Sequence, residues 1–376
     1  MLKSESKIKV EGLPEIFQLD NEEEEADFIA RELKEHLRRG EAPDALAVLY
    51  RSNSQGGMIE SVLRQHQIPY SVSGGTAFFD RKEIKDVLAY LRFSLNANDV
   101  SLRRIINTPH RGIGDTSIEK LIEYSNTHKI SFLKAAHEWQ KAGVPEKAGE
   151  SLGILFDYVK ALPKRIMNPQ STKSPGAILL EALEDIHYKQ YLFTLSHEPI
   201  AGEKKWSTVE IFSRVLDSFA KKGGISENTL REFLDAMELR DEGEDDDKNP
   251  KVSLMTLHAC KGLEFPIVYI VGVEEDLLPH KTLGSDVDEE RRLFYVGLTR
   301  AQEKLTLTHC KTRKKYGAIK PVTASRFLLE IPPALVVRHS GAFRPVTAEQ
   351  RESLVSNFLA SLGPPAGGKG ANGAKK

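Results

Sequence analysis

Residues 252–308 read VSLMTLHACKGLEFPIVYIVGVEEDLLPHKTLGSDVDEERRLFYVGLTRAQEKLTLT. A strand-like VSLM enters a polar loop at 256–264, followed by a hydrophobic strand at 267–273, a charged helix at 288–300 and a second strand at 304–308. That order is the pattern of a parallel α/β sheet, in which chemistry collects on the loops at strand ends.

With 376 residues the chain has length for two domains and a large core. Its 53 basic and 54 acidic residues leave a net charge of −1, so no global field draws it to nucleic acid or to a membrane, and a polyanion site has to be a local patch. Cys260 and Cys310 are too few for a disulfide framework or a zinc site, and no metal ligand set is expected. The opening MLKSESKIKV has no apolar signal core, and no run approaches the roughly 18 apolar residues of a membrane span, so a soluble cytoplasmic protein without membrane contact is expected.

Upstream, EIFQL at 15–19 reads as a strand. Asp20 stands three residues before Glu23, a capping-box spacing, and Ala26, Ile29, Ala30, Leu33 and Leu37 follow at helical intervals. Glu22 to Glu25 then form a solvated first turn, favoured by the helix dipole. ALAVLY at 45–50 is a continuous apolar run, as a buried parallel strand requires, with Arg51, Ser52 and Asn53 at its carboxyl end. A helix at 58–66 and a strand at 70–73 complete a βαβ unit, which Gly74 and Gly75 break. From residue 78 to about 239 only helical spacing is found, over 80–95, 101–107, 115–128, 131–141, 146–161, 175–184, 207–222 and 226–239. The acidic run DEGEDDD at 241–247 reads as a solvated return linker or, alternatively, as a nucleic-acid mimic, and disorder is expected from about Gly363 onward in a Gly-, Ala- and Lys-rich tail.

Three places carry residues with chemistry. In TLHACKGLE at 256–264, a Cys260–His258 nucleophilic pair is one reading, but residues two apart rarely face each other productively and no carboxylate orients the imidazole. A loop that grips a phosphate backbone with Thr256 and Lys261, turns at Gly262 and offers Glu264 to a ribose hydroxyl fits the residue types better. Arg300 closes the helix at 288–300; it either complements the helix dipole or is delivered to a phosphate held elsewhere. In TPHRGIGDTS at 108–117, Gly112, Ile113 and Gly114 form a turn before a helix whose first amides suit a phosphate, with Arg111, Thr116 and Ser117 adding charge and donors.

Together these residues resemble the C-terminal half of the UvrD/Rep/PcrA family of superfamily 1 DNA helicases. Thr256-Leu257-His258 with Lys261-Gly262-Leu263-Glu264-Phe265-Pro266 is similar to helicase motif V, and EERRLFYVGLTRA at 289–301 to motif VI. LYRSN at 49–53 and the stretch 107–114 resemble further family motifs, the latter its duplex-contacting Gly-Ile-Gly segment. The resemblance spans about residues 10–330 and implies a RecA-like parallel sheet domain interrupted by an inserted all-α domain. Residues 10–74 and 250–331 would form domain 2A, residues 75–249 the helical domain 2B, and residues 332–376 a disordered tail. It implies that Arg300 reaches the γ-phosphate of ATP, that Glu264 with Gly262 faces the nucleotide, and that Thr256, His258 and Arg51 contact single-stranded DNA. Arg111, Gly112, Ile113, Gly114 and Ser117 would face duplex.

The departures matter as much. No Gly-x-x-x-x-Gly-Lys-Ser/Thr and no strand ending in a Walker-B Asp-Glu pair occur, and the family's Gln-Asn-Tyr-Arg motif would lie upstream of Met1. Gly56-Gly57 stands where a Ser-Arg is common, and Cys260 where a small Ala is usual. The expectation is the C-terminal portion of an ATP-dependent 3′→5′ DNA helicase, inactive as an ATPase alone, binding ATP and magnesium only when completed by a chain or segment carrying the N-terminal P-loop half. The alternative is a non-enzymatic DNA-binding or regulatory remnant; a fused nuclease finds no carboxylate-rich motif after residue 330.

Overall fold

The computed structural model describes residues 12–196, 198–221, 225–238, 249–280, 286–315 and 318–342. The elements run β1 (Glu15–Leu19), α1 (Glu22–Arg38), β2 (Leu46–Tyr50), α2 (Asn53–Gln65) and β3 (Tyr70–Ser73). Helices α3 (Lys82–Leu95), α4 (Asp99–Ile105), α5 (Asp115–His128), α6 (Phe132–His137), α7 (Glu146–Ile166), α8 (Pro175–Asp185), α9 (Tyr188–Thr194), α10 (Pro199–Lys221) and α11 (Glu227–Glu238) follow. The chain then forms β4 (Val252–Thr256), β5 (Phe265–Ile270), α12 (Val287–Leu298), β6 (Ala301–Cys310), β7 (Thr312–Lys315), β8 (Ala318–Pro321), α13 (Arg326–Leu329) and β9 (Val337–Ser340).

Seven strands form one sheet in the order β3-β4-β2-β5-β6-β1-β9, and every pairing is parallel. β7 and β8 form a separate antiparallel ribbon. β2 lies near the middle with all five residues buried, as a strand covered on both faces must be. The period-two alternation sorts its side chains: Leu46, Val48 and Tyr50 join the apolar cluster that contains α1 and α2, whereas Ala47 and Leu49 join Phe294 of α12 and Phe327 of α13 on the other face. Among the described residues every regular element longer than one turn between β3 and β4 is a helix, and the first apolar cluster continues from the sheet through α2 into them without a break.

Several expectations change. Asn21, not Asp20, caps α1: its side chain accepts from the amides of Glu23 and Glu24, both at 3.0 Å, while Glu24 reaches back to the Asp20 amide. Glu25 is not solvated; it is 4 % exposed and paired with Arg313 at 2.6 Å. α2 starts five residues earlier than the apolar spacing indicates, because Ser52 and Gln55 form a capping box. α7 runs through Pro163 near its end, where one missing amide costs only one hydrogen bond. α9 was not legible as an element, and α10 begins at Pro199 rather than 207. Reading everything after Pro332 as a tail also stops the sheet too soon: β9 pairs with β1 from Val337 to Ser340. The acidic run at 241–247 and the Gly-rich tail lie outside the described residues.

Candidate functional site

Because all seven strands are parallel, the sheet has a carboxyl edge and an amino edge, and the expected site residues divide between them. At the carboxyl edge Thr256 ends β4 and the chain turns at once: the amides of Ala259 and Cys260 donate to the Thr256 carbonyl at 3.0 and 3.2 Å, and the Ala259 amide reaches Thr256 Oγ1 at 3.3 Å. Thr256 is nearly buried and His258 is exposed. Gly74, at φ +83°, closes against them; a Cβ there would lie 2.7 Å from the Ala259 Cβ and 3.0 Å from Thr256 Oγ1. Asn53 Nδ2 donates to the Gly74 carbonyl at 3.2 Å, and a Cβ on Gly75 would meet that amide at 2.4 Å. Asn53, Gly74 and Gly75 therefore belong to this edge. The pair does more than break the βαβ unit, and its signal in the sequence is two consecutive glycines directly after a strand.

Arg51 is withdrawn from the surface. It is 6 % exposed, and its guanidinium pairs with Glu290 of α12, Nη2 to Oε1 at 2.7 Å and Nε to Oε2 at 2.9 Å. Such a two-pronged pair fixes orientation as well as charge. Glu290 also accepts the His280 amide at 3.0 Å. As placed, Arg51 ties β2 to α12 and has no face for an external strand.

The loop after Thr256 crosses to the amino edge, turning at Gly262, whose φ is +85°. There it interlocks with the end of α12. Arg300 Nη1 donates to the Leu263 carbonyl at 2.9 Å, and the Phe265 amide donates to the Arg300 carbonyl at 2.9 Å. Glu264 sits between these two bonds, exposed, accepting from Gln302 Nε2 at 3.2 Å. Arg300 also donates from Nε to the Val296 carbonyl at 2.9 Å and from Nη2 to Thr299 Oγ1 at 3.0 Å. An acceptor carboxylate and a guanidinium at one edge suit a ribose hydroxyl and a phosphate oxygen. α12 reaches this position because Gly297 lets it touch the sheet: a Cβ there would lie 2.5 Å from Leu257 Cδ2.

Cys260 does not serve as a nucleophile in this arrangement. Its thiol is buried and donates to the Leu257 carbonyl at 3.1 Å, and burial pushes it above the ordinary thiol range. Glu25, Glu274 and Cys310 approach one another closely enough to resemble a metal ligand set, but the Arg313 guanidinium already stands among them, 2.6 Å from each carboxylate.

The turn at 112–114 lies elsewhere, at the start of α5. Gly112 has φ +78°, open space surrounds Gly112 and Gly114, and no side chain caps the helix. Ile113 and Ser117 point into the core. Arg111 folds back onto the loop: it donates to the carbonyls of Ile105 and Ile106, the latter at 2.9 Å, and to the Tyr90 hydroxyl at 2.6 Å. What this loop offers outward is backbone at Gly112 and Gly114 with exposed Asp115 and Thr116.

Residues 2–312 match the model of the UvrD-like helicase C-terminal domain. The chain is 36 % identical over 329 residues to the ATP-dependent DNA helicase PcrA of Staphylococcus aureus strain MRSA252, covering 86 % of this chain and 44 % of that protein. It is 37 % identical over 356 residues to the ATP-dependent DNA helicase Rep of Escherichia coli K12, covering 92 % of this chain and 52 % of the relative. Rep of Salmonella typhimurium LT2 is similar at 38 % identity over 357 residues. The chain spans about half the length of the curated relatives it matches.

Proposed function

This chain belongs to the UvrD-like helicase C-terminal domain family, and we propose that it supplies one wall of a nucleotide cleft together with DNA contacts in an ATP-dependent 3′→5′ DNA helicase. The observation that carries this reading is the interlock at the amino edge, where Arg300, at the end of α12, and Glu264, at the end of the loop from Thr256, are held within one residue of the same pair of hydrogen bonds.

Glu264 accepts a ribose hydroxyl, and Arg300, leaving the Leu263 carbonyl, donates to the terminal phosphate. ATP with magnesium, when bound, supplies the phosphoryl transfer that drives movement along DNA. The sequence has no phosphate-cradling Gly-x-x-x-x-Gly-Lys-Ser/Thr, so the opposite wall comes from a segment that carries one. At the carboxyl edge Thr256 and His258 face single-stranded DNA, and the loop 257–264 joins that edge to the nucleotide edge, so a change at either end is felt at the other. Residues 75–249 act as the helical domain 2B, presenting the backbone of Gly112 and Gly114 to duplex phosphates.

The test is ATP hydrolysis by this chain alone and with a P-loop-bearing helicase segment added. Turnover is expected only in the mixture, and Arg300→Ala should lower it by about a thousandfold, the usual value of such an arginine. Turnover by the chain alone that Arg300→Ala abolishes would contradict the division into two walls. The second reading, a DNA-binding remnant without nucleotide chemistry, draws on the engagement of Arg300 by three oxygens of its own chain, and it predicts no turnover in the mixture.

A further inference from the structure

Residues 74–81 lead from β3 into the helical stretch, and several contacts sew this connector to α2. The Glu60 carboxylate, 2 % exposed, accepts the Phe78 amide on both oxygens at 2.9 and 3.1 Å and the Tyr70 hydroxyl at 3.3 Å. A Cβ on Gly57 would lie 2.5 Å from the Phe78 ring, so ring and helix backbone touch directly, which gives a physical reason for a glycine here. At the other end of the connector Asn53 holds the Gly74 carbonyl, and Arg81 Nη2 donates to the Asn53 carbonyl at 3.1 Å. Arg81 Nη1 meanwhile reaches Thr208 Oγ1 of α10 at 3.3 Å. Gly74 closes against Thr256 at the carboxyl edge, and Asn53 holds it there through the Gly74 carbonyl while packing on Gly75.

From this geometry we infer that Glu60 and Arg81 are positioning residues for the single-strand groove: Glu60 fixes the connector, Arg81 fixes Asn53, and the bond to Thr208 ties the shape of the groove to the placement of α10. This rests on reading the carboxyl edge as the strand site. Neither residue touches the strand; both act through Asn53 and Gly74.

The charge on Glu60 gives the clamp a direction with pH. Burial pushes its carboxyl up to about 7, against the pull of the Phe78 amide, of Arg64 on the same helix, of Arg81 on the connector and of the Tyr70 hydroxyl on β3; Tyr50 on β2 also faces it. The groups that pull downward bind the ionised form more strongly, so the clamp is tightest above pH 7 and loosens below it. Folding stability runs the other way. A carboxyl raised above its ordinary 4.5 contributes stability that is present below about 4.5 and lost as pH rises through about 7. A merely structural Glu60 would therefore favour the acid side, and a positioning Glu60 the alkaline side.

The experiment is an anisotropy titration of the whole chain with a labelled oligothymidylate at constant ionic strength on either side of pH 7, with melting curves at the same values. Affinity of the unaltered chain should rise as pH passes through 7, opposite to the trend in its melting temperature. Glu60→Gln keeps an acceptor for the Phe78 amide without the titration and should remove that rise. Arg81→Ala, at a half-buried site, should weaken binding about tenfold across the range, one charge-assisted hydrogen bond's worth, with Arg81→Lys partly restoring it. An unchanged pH profile in Glu60→Gln, or full affinity in Arg81→Ala, would overturn the inference while leaving the strand site standing. No binding by the unaltered chain would overturn the strand site and the inference with it.

Discussion

Arg51 and Glu290 lie 239 positions apart in sequence and form a two-pronged ion pair, 2.7 Å at its shortest, with side chains 6 % and 2 % exposed. Arg51 follows β2 at the carboxyl edge, and Glu290 stands in the first turn of α12, the helix whose other end places Arg300 at the amino edge. α12 is 12 residues long, about 18 Å at 1.5 Å per residue, so a tilt at Glu290 becomes a displacement at Arg300. The pair pins the near end of the helix that carries the far site.

Removing one partner leaves the other charged and buried. Arg51→Met or Glu290→Leu alone should each cost about 3–5 kcal/mol, whereas the two together should cost much less than their sum. Urea denaturation of the four chains as a double-mutant cycle reads this, and additive losses would show that the pair is not coupled.

Arg313 sets a second prediction, with opposite pH signs for the two chains. Burial acts to raise the Glu25 carboxyl, but Arg313, Thr308 and the Gly272 amide outweigh it and hold it below the ordinary value. A depressed carboxyl contributes stability that is present above about 4.5 and lost as pH falls through its folded value. In Arg313→Met, Glu25 and Glu274 are left buried without a cation. That variant should lose about 3–5 kcal/mol at neutral pH relative to the unaltered chain, and the difference between the two should narrow on mild acidification. Denaturant midpoints measured at both pH values check the sign.

Gly297→Ala should overpack the seam between α12 and the sheet. The new methyl would stand 2.5 Å from Leu257 Cδ2 and 3.1 Å from Ile270 Cδ1, both side chains fully buried. A cost of about 1–3 kcal/mol is expected, read as a lowered melting temperature; an unchanged midpoint would mean that Leu257 swings aside freely.

Thr256 and His258 predict a local, salt-sensitive contact with single-stranded DNA. With a net charge of −1 the chain has no general attraction for phosphate, so affinity should be weak and fall with added salt. His258→Ala should weaken oligothymidylate binding several-fold without moving the melting curve, since the side chain is exposed. Binding that ignores salt would argue for a contact other than phosphate.

Much of the fold could be read before the structure. The apolar run at β2 and the helical spacing of α3, α5 and α8 each lie within one local segment, where period and capping residues decide the conformation. The loop and helix carrying Glu264 and Arg300 were found for the same reason, since their residues are neighbours in sequence. α9, β9 and the early start of α2 were missed: seven- and four-residue elements carry too little periodicity, and β9 exists only because β1 offers it an edge.

The sequence by itself determined the strand and helix alternation, the family and the candidate residue types, because hydrophobic period, turn residues and contiguous motifs are written within short windows. Tertiary structure alone decided which charges face outward. Arg51, Arg111 and Glu25 read as surface groups, yet each is held by atoms brought from beyond its own segment: Glu290 at the start of α12, the Tyr90 hydroxyl on α3, and Arg313 on β7. Only the parallel order of the strands placed Thr256 and Arg300 on opposite edges, since a loop's direction across a sheet depends on which strands it connects.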